Sequence, residues 1–378
     1  MQAIRVLTID ITRKLSREQQ IIIGHLSYSA AKLWNVANYA VKEHQINPFK
    51  LKQELRDNFW YKNLHSQSAQ AVLEKLQIAW ENYFKSHTKT PPGFQPKNGH
   101  FPVRWKKNGI KIVGSKLRLS LSKQTRKYLK GEHDIGSRYL RYFLHIIYRK
   151  EIPDCQAGFK TMAIDLGVSN LAAVVVEGKP QPYIFDGRML VSKLRWFAKE
   201  QARIQSVISK QGHKTSKKLH RLIVKEHAHV NDYIHKVSRW IVELAKSNGV
   251  GRIVIGDMYK DVASINISHQ SNEKLHRIPF GRLVKLIRYK AEEYGIKVGA
   301  VDEAYTSQTC SVCGSVDKSS RKYRGLYVCK HCGTVLNADV NGAKNILFRV
   351  VPSARKEHRD SGLGHPRRIR VLQAPNFV

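Results

Sequence analysis

The sequence predicts an α/β protein with a layered mixed sheet, a basic β-rich region before it and a small four-cysteine ribbon inserted near its end. Three observations indicate this class: closely spaced strand patterns after Lys160, a strand–helix–strand pattern over 252–303, and two Cys-x-x-Cys pairs. A chain of 378 residues with 42% apolar content is long enough for about two or three domains with real cores.

The charge of the chain predicts a polyanionic partner. Lys and Arg number 66 against 29 Asp and Glu, so the formal net charge is +37. So many like charges repel one another unless a polyanion neutralises them, which favours nucleic acid over a merely solubilising surface. The sequence shows no apolar run near the roughly 18 residues that cross a bilayer, and its start lacks a signal-peptide core. We therefore expect a cytoplasmic protein with reduced cysteines.

Residues 1–155 are expected to form a β-rich domain with a helical insertion at about 15–88. The first ten residues alternate like a strand, and Ser16 is a good N-cap for the long helical pattern that follows. A long strand pattern at 139–152 closes this domain.

Two basic groups are candidates for nucleic-acid contact. The first places cations around an aromatic ring, which suits phosphate contact combined with base stacking. The second lies on the polar face of a predicted amphipathic helix. The alternatives are a core tryptophan with solvated cations for the first group and plain solvation for the second. The residues are Arg104, Trp105, Lys106 and Lys107 in the first group and His235, Lys236 and Arg239 in the second.

The segment after Lys160 predicts the sheet. Three short strand patterns separated by Gly turns suit an antiparallel meander, and two long helical patterns follow. The later strand–helix–strand pattern over 252–303 predicts a parallel pair of strands. This order permits the layered sheet of ribonuclease H type without singling it out.

Four cysteines predict a zinc ribbon. Cys310 and Cys313 form one Cys-x-x-Cys pair, and Cys329 and Cys332 form the other. Four thiolates in a tetrahedron suit Zn²⁺, and a site with all four positions filled by protein is structural rather than catalytic. The remaining candidates are set aside: Cys155 as an ordinary thiol, and His331 because four cysteines already complete the site.

Two acids are candidates for a second metal site. Asp165 lies in the first strand of the predicted sheet, and Asp339 begins a helix directly after the ribbon. Strand ends at one edge of an α/β sheet are where ligand sites collect. The alternative for Asp339 is an ordinary helix-start residue.

Together these motifs resemble the TnpB (OrfB) family of insertion-sequence transposons, RNA-guided DNA nucleases related to type V CRISPR effectors. The resembling segments, in the family's order, are AIDLGVSNLAAVVV, HKVSRWIVELAKSNGVGRIVIGD, AYTSQTCSVCG, YVCKHCG and NADVNGAKNIL. The resemblance implies a wedge-like domain with a helical recognition insertion in residues 1–155, a RuvC-like nuclease core at 156–308, the zinc ribbon at 309–336, a final RuvC-like segment at 337–350 and a basic tail at 351–378. It also implies a prokaryotic, nucleoid-associated protein with a transposon-derived guide RNA, a target double-stranded DNA with a short adjacent motif, and Mg²⁺-dependent hydrolysis.

The family motif usually places Glu where this chain has Gly256. Asp257 is the nearest substitute, but successive strand side chains point to opposite faces, so it should face away from Asp165. Glu303 ends the strand expected about 4.8 Å away, and open space at Gly256 would let its side chain reach the metal ions. We therefore predict Asp165, Glu303 and Asp339 as catalytic residues and magnesium ligands. The alternative is a solvated Glu303 and an inactive site.

Three functions are compatible with this sequence. The first is an RNA-guided DNA endonuclease that uses two-metal hydrolysis. The second is a nuclease-inactive RNA-guided protein that binds DNA as a repressor or targeting module. The third is a zinc-ribbon protein that coats nucleic acid without guidance.

Overall fold

The structure is a computed structural model that describes residues 2–114, 116–128, 142–152, 158–257, 277–323, 325–355 and 365–370. The chain divides into two compact units. One comprises Met1–Arg5 and Tyr148–Val378, and the other is Val6–Ile147. Both boundaries fall within two paired strands, β1 (Gln2–Asp10) and β4 (Phe143–Glu151).

The unit Val6–Ile147 is mainly helical in its described part. Its core lies between α1 and α4, where Trp34 and Leu73 are buried. In the part of this unit that the structure describes, the two remaining strands pair only with each other, so the β-rich character that was predicted is limited there to two separate two-stranded sheets. The elements are α1 (Arg17–His44), α2 (Leu51–Glu54), α3 (Phe59–Lys62), α4 (Ser66–Phe84), β2 (Ile110–Val113), β3 (Lys116–Leu119) and α5 (Lys123–Tyr128).

Helix α1 begins where the sequence predicts. The Ser16 hydroxyl accepts the backbone N–H of Gln19, and the Gln19 side chain accepts the backbone N–H of Ser16. This capping box satisfies two N–H groups that would otherwise have no partner in the first turn.

The other unit contains a six-stranded sheet in the order β13-β7-β6-β5-β8-β9. Strands β5, β6 and β7 form the predicted antiparallel meander, and β8 and β9 run parallel to β5. Without the edge strand β13, this is the strand order of the ribonuclease H type of sheet. The strands are β5 (Lys160–Leu166), β6 (Asn170–Val176), β7 (Tyr183–Asp186), β8 (Val250–Gly256), β9 (Lys297–Val301) and β13 (Arg367–Ile369).

Different helices cover the two faces of this sheet. They are α6 (Arg188–Lys210), α7 (Lys217–Ser247), α8 (Phe280–Ala291) and α9 (Ala338–Val350). On one face, Ile164 and Ile255 pack with α6, α7 and α8. On the other, Ala163 and Val254 pack against α9. The alternation of side chains along β5 and β8 therefore assigns each residue to one of two cores.

The four-cysteine segment forms a small three-stranded antiparallel sheet of β10 (Arg321–Tyr323), β11 (Leu326–Val328) and β12 (Val335–Asn337). Strand β12 leads directly into α9. Helix α9 also holds the start of the ribbon, because the Asn341 side chain accepts the N–H of Ser311 and donates to the Thr309 carbonyl.

Strand β13 was not predicted and lies within the segment 351–378 that was expected to be a basic tail. It pairs in parallel with β7, with Arg368 opposite Ile184. Three residues with two arginines carry no strand pattern, so this pairing is a tertiary contact that the local sequence does not announce. Among the described helices, none has the length and apolar character needed to span a membrane.

Candidate active site

Asp165 and Gly256 lie side by side on the sheet face that α9 covers. Ile164 pairs with Ile255 in the parallel β5–β8 ladder, so the next residues of the two strands are adjacent. Alternation places Asp165 on the face of Ala163, and Gly256 on the face of Val254. Gly256 in turn pairs with Val301 on β9.

The side chain of Glu303 fills the space above Gly256. A Cβ atom at position 256 would lie 1.8 Å from Glu303 Oε1 and 2.5 Å from its Cδ. Real side chains do not approach so closely, so only glycine at 256 is compatible with this position of the glutamate. The structure thus places Glu303 close to Asp165, while its role as a metal ligand stays a prediction. Glu303 was expected to end its strand, but β9 ends at Val301, so the glutamate lies in the segment that follows the strand.

Asp165 is half-buried, and its carboxyl is closely surrounded by protein atoms. Burial raises its pKa well above the ordinary value, and the negative charges of Glu303 and Asp339 raise it further, while Arg321 opposes them. Helix α9 approaches Asp165 at Gly342, where a Cβ atom would lie 2.4 Å from Asp165 Oδ2. A glycine in α9 therefore makes room for this carboxylate.

Asp339 lies in the first turn of α9, after the N-cap Asn337. Its Oδ2 accepts a hydrogen bond from Asn170 Nδ2 at 2.6 Å, and its Oδ1 lies 3.3 Å from Arg321 Nη2. Neither partner was predicted from the sequence. Asn170 begins the strand after that of Asp165, and Arg321 belongs to the ribbon, so both meet Asp339 only through the tertiary fold. The local sequence contains no signal for Arg321, whereas Asn170 belongs to the segment MAIDLGVSN that carries Asp165.

Asp257 directly follows β8, in which Ile253 and Ile255 face the core on the side away from Asp165. Alternation continues to predict that its side chain faces that same side. Its backbone N–H continues the ladder by donating to the Val301 carbonyl at 2.8 Å. The negative charges that act on Asp165 belong to Glu303 and Asp339.

The four cysteines converge, with all Sγ atoms within 4.8 Å of one another. Burial raises the pKa of Cys310 to about 12. Burial also opposes ionisation of Cys329, but hydrogen bonds from Ser315 and from backbone N–H groups outweigh it and hold its pKa at about 6. A thiolate beside three further thiols can bind a metal ion. His331 is exposed and outside this cluster, and Cys155 lies outside the described residues.

The first predicted nucleic-acid group, at 104–107, is only partly exposed. Trp105 is half-buried against the helical core, and its Nε1 donates to the Ser120 carbonyl at 2.9 Å. Lys106 pairs with Glu74 at 2.9 Å, while Arg104 and Lys107 are exposed. This arrangement agrees better with the alternative of a core tryptophan, and nucleic-acid contact stays a prediction for the cations.

The second group lies on the exposed face of α7. Lys236 pairs with Asp232 at 2.7 Å, and Arg239 lies 3.5 Å from Glu243. His235 is exposed as a whole, but its imidazole is partly shielded from water, and this partial burial together with the charge of nearby Lys290 lowers its pKa. Because the two permanent cations have acidic partners on the same helix, their attraction for phosphate is reduced. A role in nucleic-acid contact stays a prediction.

Lys290 is a buried cation behind this face. Only 7% of it is exposed, and its Nζ donates to the His235 carbonyl at 2.5 Å and to Ser238 Oγ at 2.7 Å. Burial lowers its pKa to about 8, and the positive charge of Arg239 acts in the same direction. This lysine connects α8 to α7.

The strand order is that of a ribonuclease H-like sheet, and the carboxylates of Asp165, Glu303 and Asp339 gather at one edge of it. Two family models match parts of this chain. Residues 145–262 match the OrfB family model described as "Probable transposase", and residues 280–346 match the "Cas12f1-like, TNB domain" model. The resemblance of the motifs to TnpB-like proteins is therefore confirmed for the segment that carries them.

Individual relatives agree with these matches. The CRISPR-associated endodeoxyribonuclease Cas12f1 of Sulfoacidibacillus thermotolerans is 30% identical over 59% of this chain, which spans only 55% of that protein. A TnpB-like protein of Methanocaldococcus jannaschii is 25% identical, and the match covers 61% of this chain and 85% of that protein. A cryo-EM structure of a Cas12f1–sgRNA–target DNA complex has a TM-score of 0.39 and 16% identity, covering 91% of this chain and 98% of that one.

Proposed function

We propose that this chain is an RNA-guided DNA endonuclease whose divalent metal ions are held by Asp165, Glu303 and Asp339. The observation that carries this proposal is the position of Glu303, whose side chain occupies the space over Gly256 beside Asp165. The glutamate that the family usually has on β8 is then supplied by the segment that follows β9.

The residues fit hard divalent cations. Oxygen ligands are what Mg²⁺ prefers. The pKa of Asp165 is raised first by burial and then by the negative charges of Glu303 and Asp339, and a bound cation would offset those charges. Bound there, Mg²⁺ would help to activate the attacking water and to stabilise the leaving oxygen. Arg321 supplies positive charge at Asp339 and so reduces the repulsion among the carboxylates.

The proposed partners are a guide RNA from the transposon end and a double-stranded DNA target with a short adjacent motif. The support is the net charge of +37 and the likeness to proteins named as CRISPR-associated or TnpB-like. Pairing with the RNA would carry the target specificity, while the protein contributes phosphate contacts that weaken as salt rises. Such a protein would work on prokaryotic DNA in the nucleoid.

The four cysteines are proposed to hold a structural Zn²⁺. All four tetrahedral positions would be filled by protein, which leaves no position for a reacting water. Zinc would stabilise a ribbon whose own core consists of a few side chains around Tyr327.

A nuclease-inactive guided DNA-binding protein is the second candidate. It is favoured by Gly256, which stands where the family usually has its glutamate, and by the Arg321–Asp339 ion pair. In this case Glu303 would be a structural acid and the chain would act as a repressor or targeting module.

Cleavage and guided binding should be measured separately to distinguish the two. The chain is purified with its RNA, and a plasmid bearing the target is incubated with and without Mg²⁺. We expect Mg²⁺-dependent cleavage by the unaltered protein and none by Glu303→Ala, with guided binding retained in both. Asp257→Ala is the matched control and should cleave almost normally. Guided binding without cleavage by the unaltered protein would favour the second candidate, and binding that ignores the guide would exclude both.

A further inference from the structure

Asn170 connects the candidate metal site to the last strand of the sheet. Its Nδ2 donates to Asp339 Oδ2 at 2.6 Å, and its Oδ1 accepts from Arg368 Nη1 at 3.0 Å. A guanidinium only donates and an ionised carboxylate only accepts, so the two partners fix which way the amide points. Asn170 is 7% exposed, so water has little access to compete for these bonds.

Arg368 is itself held in place from β7. Its Nη1 lies 3.6 Å from Asp186 Oδ2. The Asp186 carboxylate also accepts hydrogen bonds from two side-chain nitrogens of Arg188, Nε and Nη2. Burial opposes the charge on Asp186, but the hydrogen bonds from Arg188 and the charges of both arginines outweigh it and lower its pKa. Asp186 is therefore an ionised anchor that keeps the Arg368 guanidinium next to Asn170.

The register of the strands makes this arrangement a property of the fold. Asn170 pairs with Asp186 across β6 and β7, and Arg368 pairs with Ile184 across β13 and β7. Ile184 packs in the α9 core, so alternation places Arg368 and Asp186 on the same face as Asp165. The chain from Asp186 to Asp339 thus lies along the face that carries the candidate metal ligands.

We infer that Asn170 and Arg368 are positioning residues that orient the Asp339 carboxylate for metal binding. This inference rests on the proposed function, because it assigns Asp339 a metal ion. Asn170 holds Oδ2 and leaves Oδ1 directed toward Arg321, the partner that a metal ion can replace. Without the amide, the carboxylate can rotate and pair more fully with Arg321. Arg368 strengthens this hydrogen bond, because a positive charge next to the amide oxygen polarises the amide and makes its N–H a better donor.

The first test is metal binding without chemistry, measured by isothermal titration of the zinc-loaded full chain with Mn²⁺. We expect Asn170→Ala and Arg368→Ala to bind Mn²⁺ about 10–100-fold more weakly than the unaltered protein. Arg367→Ala is the matched control, because it removes the same charge from the opposite face of the same strand and should bind Mn²⁺ normally. Asn170→Asp should be at least as weak as Asn170→Ala, since it places a second carboxylate against Asp339.

The second test is the metal dependence of cleavage. Both variants should need higher Mg²⁺ and should approach the unaltered rate when Mg²⁺ is raised, which a general loss of structure would not allow. Because Arg368 is partly exposed, its substitution keeps the test valid should Asn170→Ala fold poorly. Unchanged Mn²⁺ affinity in Arg368→Ala, with normal binding by the unaltered chain, would overturn this inference alone. No Mn²⁺ binding by the unaltered chain would overturn the proposed function as well.

Discussion

The carboxylate of Glu303 lies where a side chain at Gly256 would have to be, because a Cβ atom there would be 1.8 Å from Glu303 Oε1. The glycine on β8 and the glutamate beyond β9 are thus mutually dependent. A larger residue at 256 must displace the end of a flexible side chain rather than backbone, so the fold can survive the change while the site cannot.

Gly256→Ala should therefore reduce cleavage by about 100-fold, the scale on which a displacement of about 1 Å affects a reacting site. The melting temperature should change little, because the displaced atoms belong to a flexible side chain. Cleavage kinetics and thermal unfolding of the same preparation check both statements. Normal cleavage by Gly256→Ala would mean that Glu303 is not a ligand.

The glutamate should also function from its usual family position. In the double variant Gly256→Glu with Glu303→Ala, the carboxylate returns to β8 and the space it needs is vacated. We expect this variant to regain part of the Mg²⁺-dependent cleavage that Glu303→Ala alone has lost. A double variant as inactive as Glu303→Ala, yet folded, would show that the carboxylate cannot reach the metal ions from β8.

Asp165→Asn should raise the melting temperature of the metal-free protein by a few degrees. Burial and two neighbouring carboxylates disfavour the charge of Asp165, and the amide removes that charge at almost constant volume. The same variant should lose the stabilisation that added Mg²⁺ gives the unaltered protein. Thermal unfolding in chelator and in Mg²⁺ measures both effects, and a lower melting temperature in chelator would contradict the assignment.

Cys310→Ser and Cys332→Ser should each release zinc and unfold residues 309–336. Thiolate ligation supplies folding free energy that so small a core does not. Zinc content by mass spectrometry and limited proteolysis of the ribbon test this expectation. Cys310→Ser with a full equivalent of zinc would exclude the assigned ligand set.

Lys290 should make stability rise with pH. Its folded pKa of about 8 lies below the ordinary 10.5, so below about pH 8 it is charged in both states and its burial destabilises the fold. Between these two values the unfolded chain holds more protons than the folded one, and stability increases with pH. Below about pH 8 the lowered pKa corresponds to a destabilisation of roughly 3 kcal/mol, and Lys290→Met should remove it.

The free energies of unfolding of the unaltered protein and of Lys290→Met should be measured by denaturant near pH 7 and near pH 10.5. Because the two proteins share all their other titrating groups, the change in their difference with pH reports on Lys290 alone. Any advantage of Lys290→Met at the lower pH should shrink at the higher pH. A constant difference between the two proteins would mean that the pKa of Lys290 is not lowered.

The sequence predicted those features that depend on local pattern or strand alternation. The helix start at Ser16 and the meander beginning with β5 both follow from local signals, a capping residue before a helical pattern and strand patterns separated by Gly turns. The sequence also led us to expect Glu303 above Gly256, because a glycine on one strand leaves space for a long side chain near the end of the next strand. It did not show that β9 ends at Val301, two residues before the glutamate.

What the sequence did not predict depends on contacts between distant segments. Asn170 contacts Arg368, which lies 198 residues further along the chain. Arg321 contacts Asp339 because the ribbon folds back on itself. Trp105 among basic residues matched a stacking pattern, yet its ring packs in the helical core. Side-chain type alone does not distinguish these outcomes, because burial is decided by the tertiary fold.

The ribbon is inserted between two of the carboxylates, since Glu303 precedes it and Asp339 follows it. The folded ribbon is a compact connection between them, whereas the unfolded segment would be a long loop, and bringing the ends of such a loop together costs chain entropy. An ion bound to the cysteines would therefore raise the effective concentration of one carboxylate near the other. By thermodynamic reciprocity, an ion bound to the carboxylates would then increase the affinity of the cysteines for their own ion by the same factor.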